Sequence, residues 1–170
     1  MNLLFKLLLT MNATLWMVIV YAIKENFSIL SIPQWMFHSA LVLLVLGLSW
    51  LTLLLSRFFG EESIQSCKEF SLADNEFLPV YLGYFFVSLS IPDCYTMFFL
   101  YIILFIFTFL SQTQYFNPAY LIFGYHYYHI TTQNGTNFFI IKYGKVIRNK
   151  EHMQIKNLRR INDTTFIERR

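Results

Sequence analysis

Three stretches of this chain carry no Asp, Glu, Lys or Arg: Asn26 to Ser56, Phe77 to Pro92, and Cys94 to Ile141. A water-facing surface needs about one charged residue in four. The chain averages 14% charged residues and 56% hydrophobic ones. The deficit is concentrated in those runs, so lipid, or protein enclosed by lipid, is their natural solvent.

Four apolar segments follow. Leu3 to Ile23, closed by Lys24 and Glu25, is about 31 Å long as a helix, enough to cross a hydrocarbon core. Met36 to Leu55 lies between the Ile32-Pro33 break with interfacial Trp35 and the terminating Arg57. Phe77 to Ile91 is shorter and is expected to borrow a turn from Leu72–Glu76. Ile91-Pro92-Asp93 then forms a tight turn, and Cys94 to Leu110 completes the set. Met1 to Ile23 resembles a secretory signal only in part, because Asn12 interrupts the apolar run and no small-residue cleavage site follows. It reads as a retained helix.

The basic residues set the orientation. With the N-terminus inside and four spans, Lys6, Arg57, Lys68 and the nine bases after Ile141 all face the cytoplasm, and only Lys24 lies outside. The expected fold class is therefore a membrane α-helical protein, with four transmembrane helices followed by a small β-rich cytoplasmic domain. Residues 1–114 form the helical domain, with spans at about 3–23, 36–55, 73–91 and 94–112. Residues 115–128 are an interfacial linker, and 124–170 a basic β-rich domain. The acidic loop from Arg57 to Glu76 suggests an amphipathic piece at the cytoplasmic surface, through Ile64, Phe70 and Leu72.

After Leu110 the pattern changes. Tyr125 to Thr131 is β-branched and aromatic, Asn134-Gly135 is a strong hairpin signal, and Asn137 to Tyr143 is the return strand. Met153 to Ile161 and Thr165 to Arg169, split by Asn162-Asp163, supply two more. A small barrel-like or curled sheet is expected, leaning on a neighbouring subunit or the membrane surface.

Chemistry-bearing residues are sparse. His126 and His129, three apart on a strand, point to opposite faces and make no metal pair. His38 and Asp93 sit at the outer ends of spans, where solvated polar residues are usual. They are also the positions an ion path would use, the basis of an alternative reading as an oligomeric channel or small transporter. Cys67 and Cys94 have no metal-ligand spacing and no disulfide framework. No nucleophile motif or phosphate-cradling loop appears, so neither an enzyme nor a cofactor is expected.

Charge is the better lead. Residues 142–170 hold nine bases and three acids, and residues 1–141 hold four bases and seven acids. Anionic lipid, an acidic soluble protein and nucleic acid would each be attracted to such a tail. Lys145, Arg148, Lys150, Lys156, Arg159 and Arg160 are the candidate partner-binding residues. The chain leaves the membrane at Tyr115 to Tyr128. Asn117-Pro118 should break the fourth span there, the tyrosines should sit at headgroup depth, and Gly124 should re-aim the chain. Asn117, Pro118, Gly124, Tyr125, Tyr127 and Tyr128 are thus candidates for coupling the membrane helices to the tail.

The run Tyr115-Phe116-Asn117-Pro118-Ala119-Tyr120-Leu121-Ile122-Phe123-Gly124-Tyr125-His126-Tyr127-Tyr128, with the basic tail containing Asn157-Leu158-Arg159-Arg160-Ile161, resembles the KwaA family, membrane subunits of the Kiwa anti-phage system. The resemblance implies a homo-oligomeric, tetrameric sensor of the bacterial inner membrane. It also implies a soluble cytoplasmic partner, the DNA-binding effector KwaB, through which any nucleic acid would be reached.

Overall fold

The computed structural model describes residues 3–28, 32–62, 67–111, 117–147, 158–162 and 164–168. The chain divides into two compact units. One is helical, Asn2–Thr52 with Glu76–Asn117; the other is built on a sheet, Leu53–Asn75 with Pro118–Arg170. The chain thus passes between them after Thr52, after Asn75 and after Asn117.

Helices α1 (Leu3–Lys24) and α2 (Gln34–Leu55) have 22 residues each, about 33 Å. Both are long and apolar enough to cross a membrane. Helices α3 (Leu78–Ser90, 13 residues) and α4 (Cys94–Leu110, 17 residues) are apolar but shorter. The borrowed turn expected before α3 does not form. Leu72 closes a strand, the Ala73 N–H donates to the Tyr127 carbonyl at 2.8 Å, and Pro79 sits in the first turn of α3. Asp93 caps α4, accepting the Thr96 N–H at 2.9 Å and the Thr96 hydroxyl at 2.8 Å. The Thr96 backbone N–H, above all, holds the Asp93 carboxyl below its ordinary pKa. Asp93 behaves as a solvated turn residue.

Packing fixes helix directions within this unit. Lys6 near the start of α1 lies over the Phe109 ring near the end of α4, and Thr14 meets Tyr101 half-way along. At the far end Met17 and Tyr21 cluster with Ile91 and Met97, and the Lys24 ammonium donates to the Ile91 carbonyl. So α4 runs antiparallel to α1 and α3 runs parallel to it. Gln34 donates to the Asn26 carbonyl at 3.3 Å, and α2 then returns with Ser49 against Asn12. The outward face stays apolar: Trp35 and Leu110 are both 71% exposed, and Leu43, Phe86 and Phe107 are exposed as well. Scattered apolar residues are ordinary on a soluble protein, but an apolar coat of this extent is not.

The sheet unit begins with the 3-10 turn Ser56–Phe58. Its strands are β1 (Glu61–Glu62), β2 (Cys67–Leu72), β3 (Tyr125–Thr132), β4 (Asn137–Tyr143), β5 (Leu158–Arg160) and β6 (Thr165–Glu168). The order is β1-β5-β6-β4-β3-β2, with β4 and β6 parallel and every other pair antiparallel. This is an open sheet edged by β1 and β2, not a barrel. The Arg57–Glu76 loop, expected as a surface amphipathic piece, supplies both edge strands. Phe70 pairs with Ile130 and packs on the core of Tyr128, Ile130, Ile140, Leu158 and Phe166. Tyr127 and Ile141 are buried on the other face, so the central strands read as continuous apolar runs.

The β3–β4 hairpin forms at Asn134-Gly135 but not with two positive φ angles. Only Gly135 is left-handed (φ 77°), its N–H donating to the Thr132 carbonyl at 3.0 Å, while the Thr132 N–H reaches Thr136 O at 2.9 Å. That is a type I turn followed by a left-handed glycine. Between β5 and β6 the Asn162 carboxamide oxygen accepts the N–H groups of Thr164 (2.8 Å) and Thr165 (2.6 Å), closing the expected turn.

Candidate functional site

Small polar residues stitch the helical unit together from inside. Asn12 on α1 is 1% exposed, Ser49 on α2 is 0% and Asn117 is 2%. The Ser49 hydroxyl donates to Asn12 Oδ1 at 2.9 Å and accepts from Asn117 Nδ2 at 3.0 Å. Its one proton has a second acceptor in reach, the Val45 carbonyl at 2.8 Å. Asn12 Nδ2 finds no acceptor among the described residues. A chain of three buried polar side chains with one orphan donor is costly in an apolar layer, so its arrangement is tightly specified. Further up, Thr14 bonds Tyr101 (3.2 Å), Ser88 donates to the Met17 carbonyl (2.9 Å), and Tyr84 meets Thr108 (3.1 Å).

Asn117, one of the expected coupling residues, therefore closes the polar chain and stands at the boundary of the helical unit. Its neighbour Pro118 does not end the fourth helix. α4 stops at Leu110, and Pro118 opens a short helix α5 (Pro118–Ile122), where a residue without an N–H is at home. Gly124 then turns the chain at φ 77°, and its carbonyl accepts the Gly144 N–H at 3.0 Å. An added Cβ there would stand 3.5 Å from the Tyr143 ring, an ordinary contact, so backbone conformation rather than space demands glycine.

Tyr115 lies outside the described residues, and Tyr127 and Tyr128 are not part of a headgroup belt. Tyr127 and Tyr128 are each 0% exposed. Tyr127 stacks on Phe139 with centroids 5.6 Å apart. Tyr128 lies in the sheet core, where its hydroxyl accepts the Ile147 N–H at 3.0 Å and burial pushes its pKa up. A belt residue needs a wet tip; these have protein partners. Tyr125 is half-buried between Tyr120 and Tyr143.

Of the expected partner-binding bases, Lys145, Arg159 and Arg160 are among the described residues. Lys145 is exposed after β4, and Arg160 is exposed on β5 with its Nε donating to Asn162 O at 3.2 Å. Arg159 faces the other way and donates to the Phe59 carbonyl. Arg148, Lys150 and Lys156 lie outside the described residues. A carboxylate–histidine contact and an ion pair escaped the sequence reading. Asp74 meets His126 at 2.6 Å and accepts the Tyr127 N–H at 2.7 Å, while Lys142 meets Glu168 at 2.5 Å. His126 and Lys142 are register partners, so both pairs lie along one row across the sheet. His129 is exposed and packs on the Phe139 ring. His38, beside Phe37 in α2, has an Nε2 without partner among the described residues. Among the described residues no His, Cys, Asp and Glu gather in a metal-binding group.

Asn12 and Ser49 did carry a signal: each is a polar residue inside a long apolar run, where such residues mark sites. Their connection to Asn117 bridges distant positions and had none. Compared with known proteins, the family described as "Anti-phage protein KwaA" matches residues 5–167, nearly the whole chain. No curated protein and no solved structure matches it.

Proposed function

The chain belongs to the KwaA family of anti-phage proteins, and from that premise we propose a membrane-embedded sensor and scaffold of phage defence. It spans the bacterial inner membrane four times with both termini in the cytoplasm. It assembles as a homo-oligomer, a tetramer by the family resemblance. Its basic sheet unit holds a soluble, DNA-binding cytoplasmic effector of the KwaB kind. It works by binding rather than catalysis, without cofactor or metal.

The observation that carries this reading is the alternation of α1, α3 and α4 beneath an apolar coat. Lys24, Asp93 and the Pro92 turn gather at one end of the unit, and Lys6 and the end of α4 at the other. That is the pattern of helices crossing one layer side by side, with Lys24 alone on the basic-poor side. α3 is about 20 Å long at 1.5 Å per residue. A thinned or locally covered bilayer accommodates so short an element at modest cost. A sensor needs an element that membrane disturbance can shift, and a mismatched helix tied to α1 by Ser88 is suited to it.

Effector retention tests the reading. The full chain, co-expressed with the soluble DNA-binding effector, should keep it on sedimented membranes, and Lys145→Glu with Arg160→Glu should release it. Undiminished retention by the double variant would remove the basic surface from the mechanism.

A further inference from the structure

Within the sheet unit a small cleft of about 30 Å³, partly open to solvent, lies between residues 53–57 and the strands β3, β5 and β6. That is well below a whole-ligand pocket of about 300–1,000 Å³, so only a small group of a ligand enters it. Its walls carry two arginines, Arg57 and Arg159, the Tyr125 side chain and Ser56, over an apolar floor of Leu53 and Ile167. The one acid there, Glu168, is already paired with Lys142 at 2.5 Å, so it does not cancel the arginines. Arg159 is fixed in place by its bond to the Phe59 carbonyl. Arg57 is exposed in the 3-10 turn and makes no hydrogen bond or ion pair among the described residues.

We propose that this cleft binds a phosphate group, with Arg57 and Arg159 as its two clamps, and that the phosphate is the headgroup of an anionic phospholipid. A guanidinium fork matches phosphate geometry, and two forks on one small cleft make a site that a diffuse basic surface does not. The lipid source follows from place in the chain. Arg57 comes two residues after Leu55, the end of a helix long enough to cross a membrane, so it falls at headgroup depth if that helix spans. The phosphate chemistry itself is independent of the membrane reading. A free anion would bind through the same arginines.

The test uses the full chain purified in mild detergent, with short-chain phosphatidylglycerol, phosphatidylcholine of the same chain length and inorganic phosphate as probes, followed by native mass spectrometry. Phosphatidylglycerol should bind about tenfold or more tightly than phosphatidylcholine, and Arg57→Gln should abolish that preference, since a charge-assisted contact is lost. Arg57→Lys should keep part of it. Lys68→Gln, an exposed base on β2 away from the cleft, should keep it all. Arg57 is varied because Arg159 also holds the Phe59 carbonyl, and its loss could disturb the fold. If inorganic phosphate binds with the same dependence on Arg57 and the lipid does not, the site is a phosphate site with a free anion as its source. Equal phosphatidylglycerol binding by the parent and Arg57→Gln, an equal loss in Lys68→Gln, or no binding of either anion overturns the proposal.

Discussion

Ser49→Ala is the sharpest single perturbation of the helical unit. The substitution removes one oxygen and little volume, but that oxygen bonds both Asn12 and Asn117. Interhelical hydrogen bonds in membrane proteins average about 0.6 kcal/mol and seldom exceed about 1.7 kcal/mol. A buried polar atom left without a partner costs about 1–3 kcal/mol. Asn12 Nδ2 already has no acceptor among the described residues, so losing the Ser49 contact leaves its Oδ1 stranded too. The expected destabilisation is about 1–3 kcal/mol, larger than a surface Ser→Ala change of about 0.5 kcal/mol or less. The assay is reversible unfolding of the full chain in mixed micelles, titrated with a denaturing detergent and followed by circular dichroism. A double-mutant cycle with Asn12→Ala should give a coupling of about 0.6–1.7 kcal/mol, because each single change removes the same bond. If Ser49→Ala costs less than about 0.3 kcal/mol and the two changes add, the polar chain is not a cooperative unit and the reasoning fails.

Other outcomes follow from the sheet unit and the caps. Gly124→Ala should destabilise by about 1–2 kcal/mol through its left-handed backbone alone, and an unchanged unfolding midpoint would show that the turn adapts. Tyr128→Phe strands the Ile147 N–H and should cost about 1–3 kcal/mol, read as faster amide hydrogen exchange at Ile147; unaltered exchange there would refute it. Asp93 has its pKa lowered from 3.8, chiefly by the Thr96 N–H, so its contribution is full above pH 3.8 and is lost as pH falls through the lower folded value. Asp93→Asn should keep the cap and flatten that acid limb; an identical acid profile in the variant would count against it.

Much of the helical part was legible because local chemistry decides it. Lys24 and Arg57 end apolar runs, and the bounds of α1 and α2 lie within a residue or two of those read from them. Asn134-Gly135 and Asn162 likewise act on their own neighbours, and both turns formed where expected. What local pattern could not reveal were pairings across long separations. β2 looks like an acidic loop until Phe70 meets Ile130, sixty positions away. Tyr127 and Tyr128 have the same composition as an aromatic belt, and only the two-sided burial of β3 distinguishes them. The Asn12–Ser49–Asn117 chain draws its members from three separate segments, and no local pattern pairs them.

The central claim of the proposed function is that the four helices cross the inner membrane with both termini in the cytoplasm. Cys94, exposed beside the Pro92 turn, is a native probe of the outer face once Cys67 is replaced by Ser. A membrane-impermeant maleimide should label Cys94 in intact spheroplasts, while Lys145→Cys, in a chain with Cys67 and Cys94 replaced, should be labelled only after permeabilisation. The reverse pattern, or equal labelling of both positions in intact spheroplasts, would contradict the account.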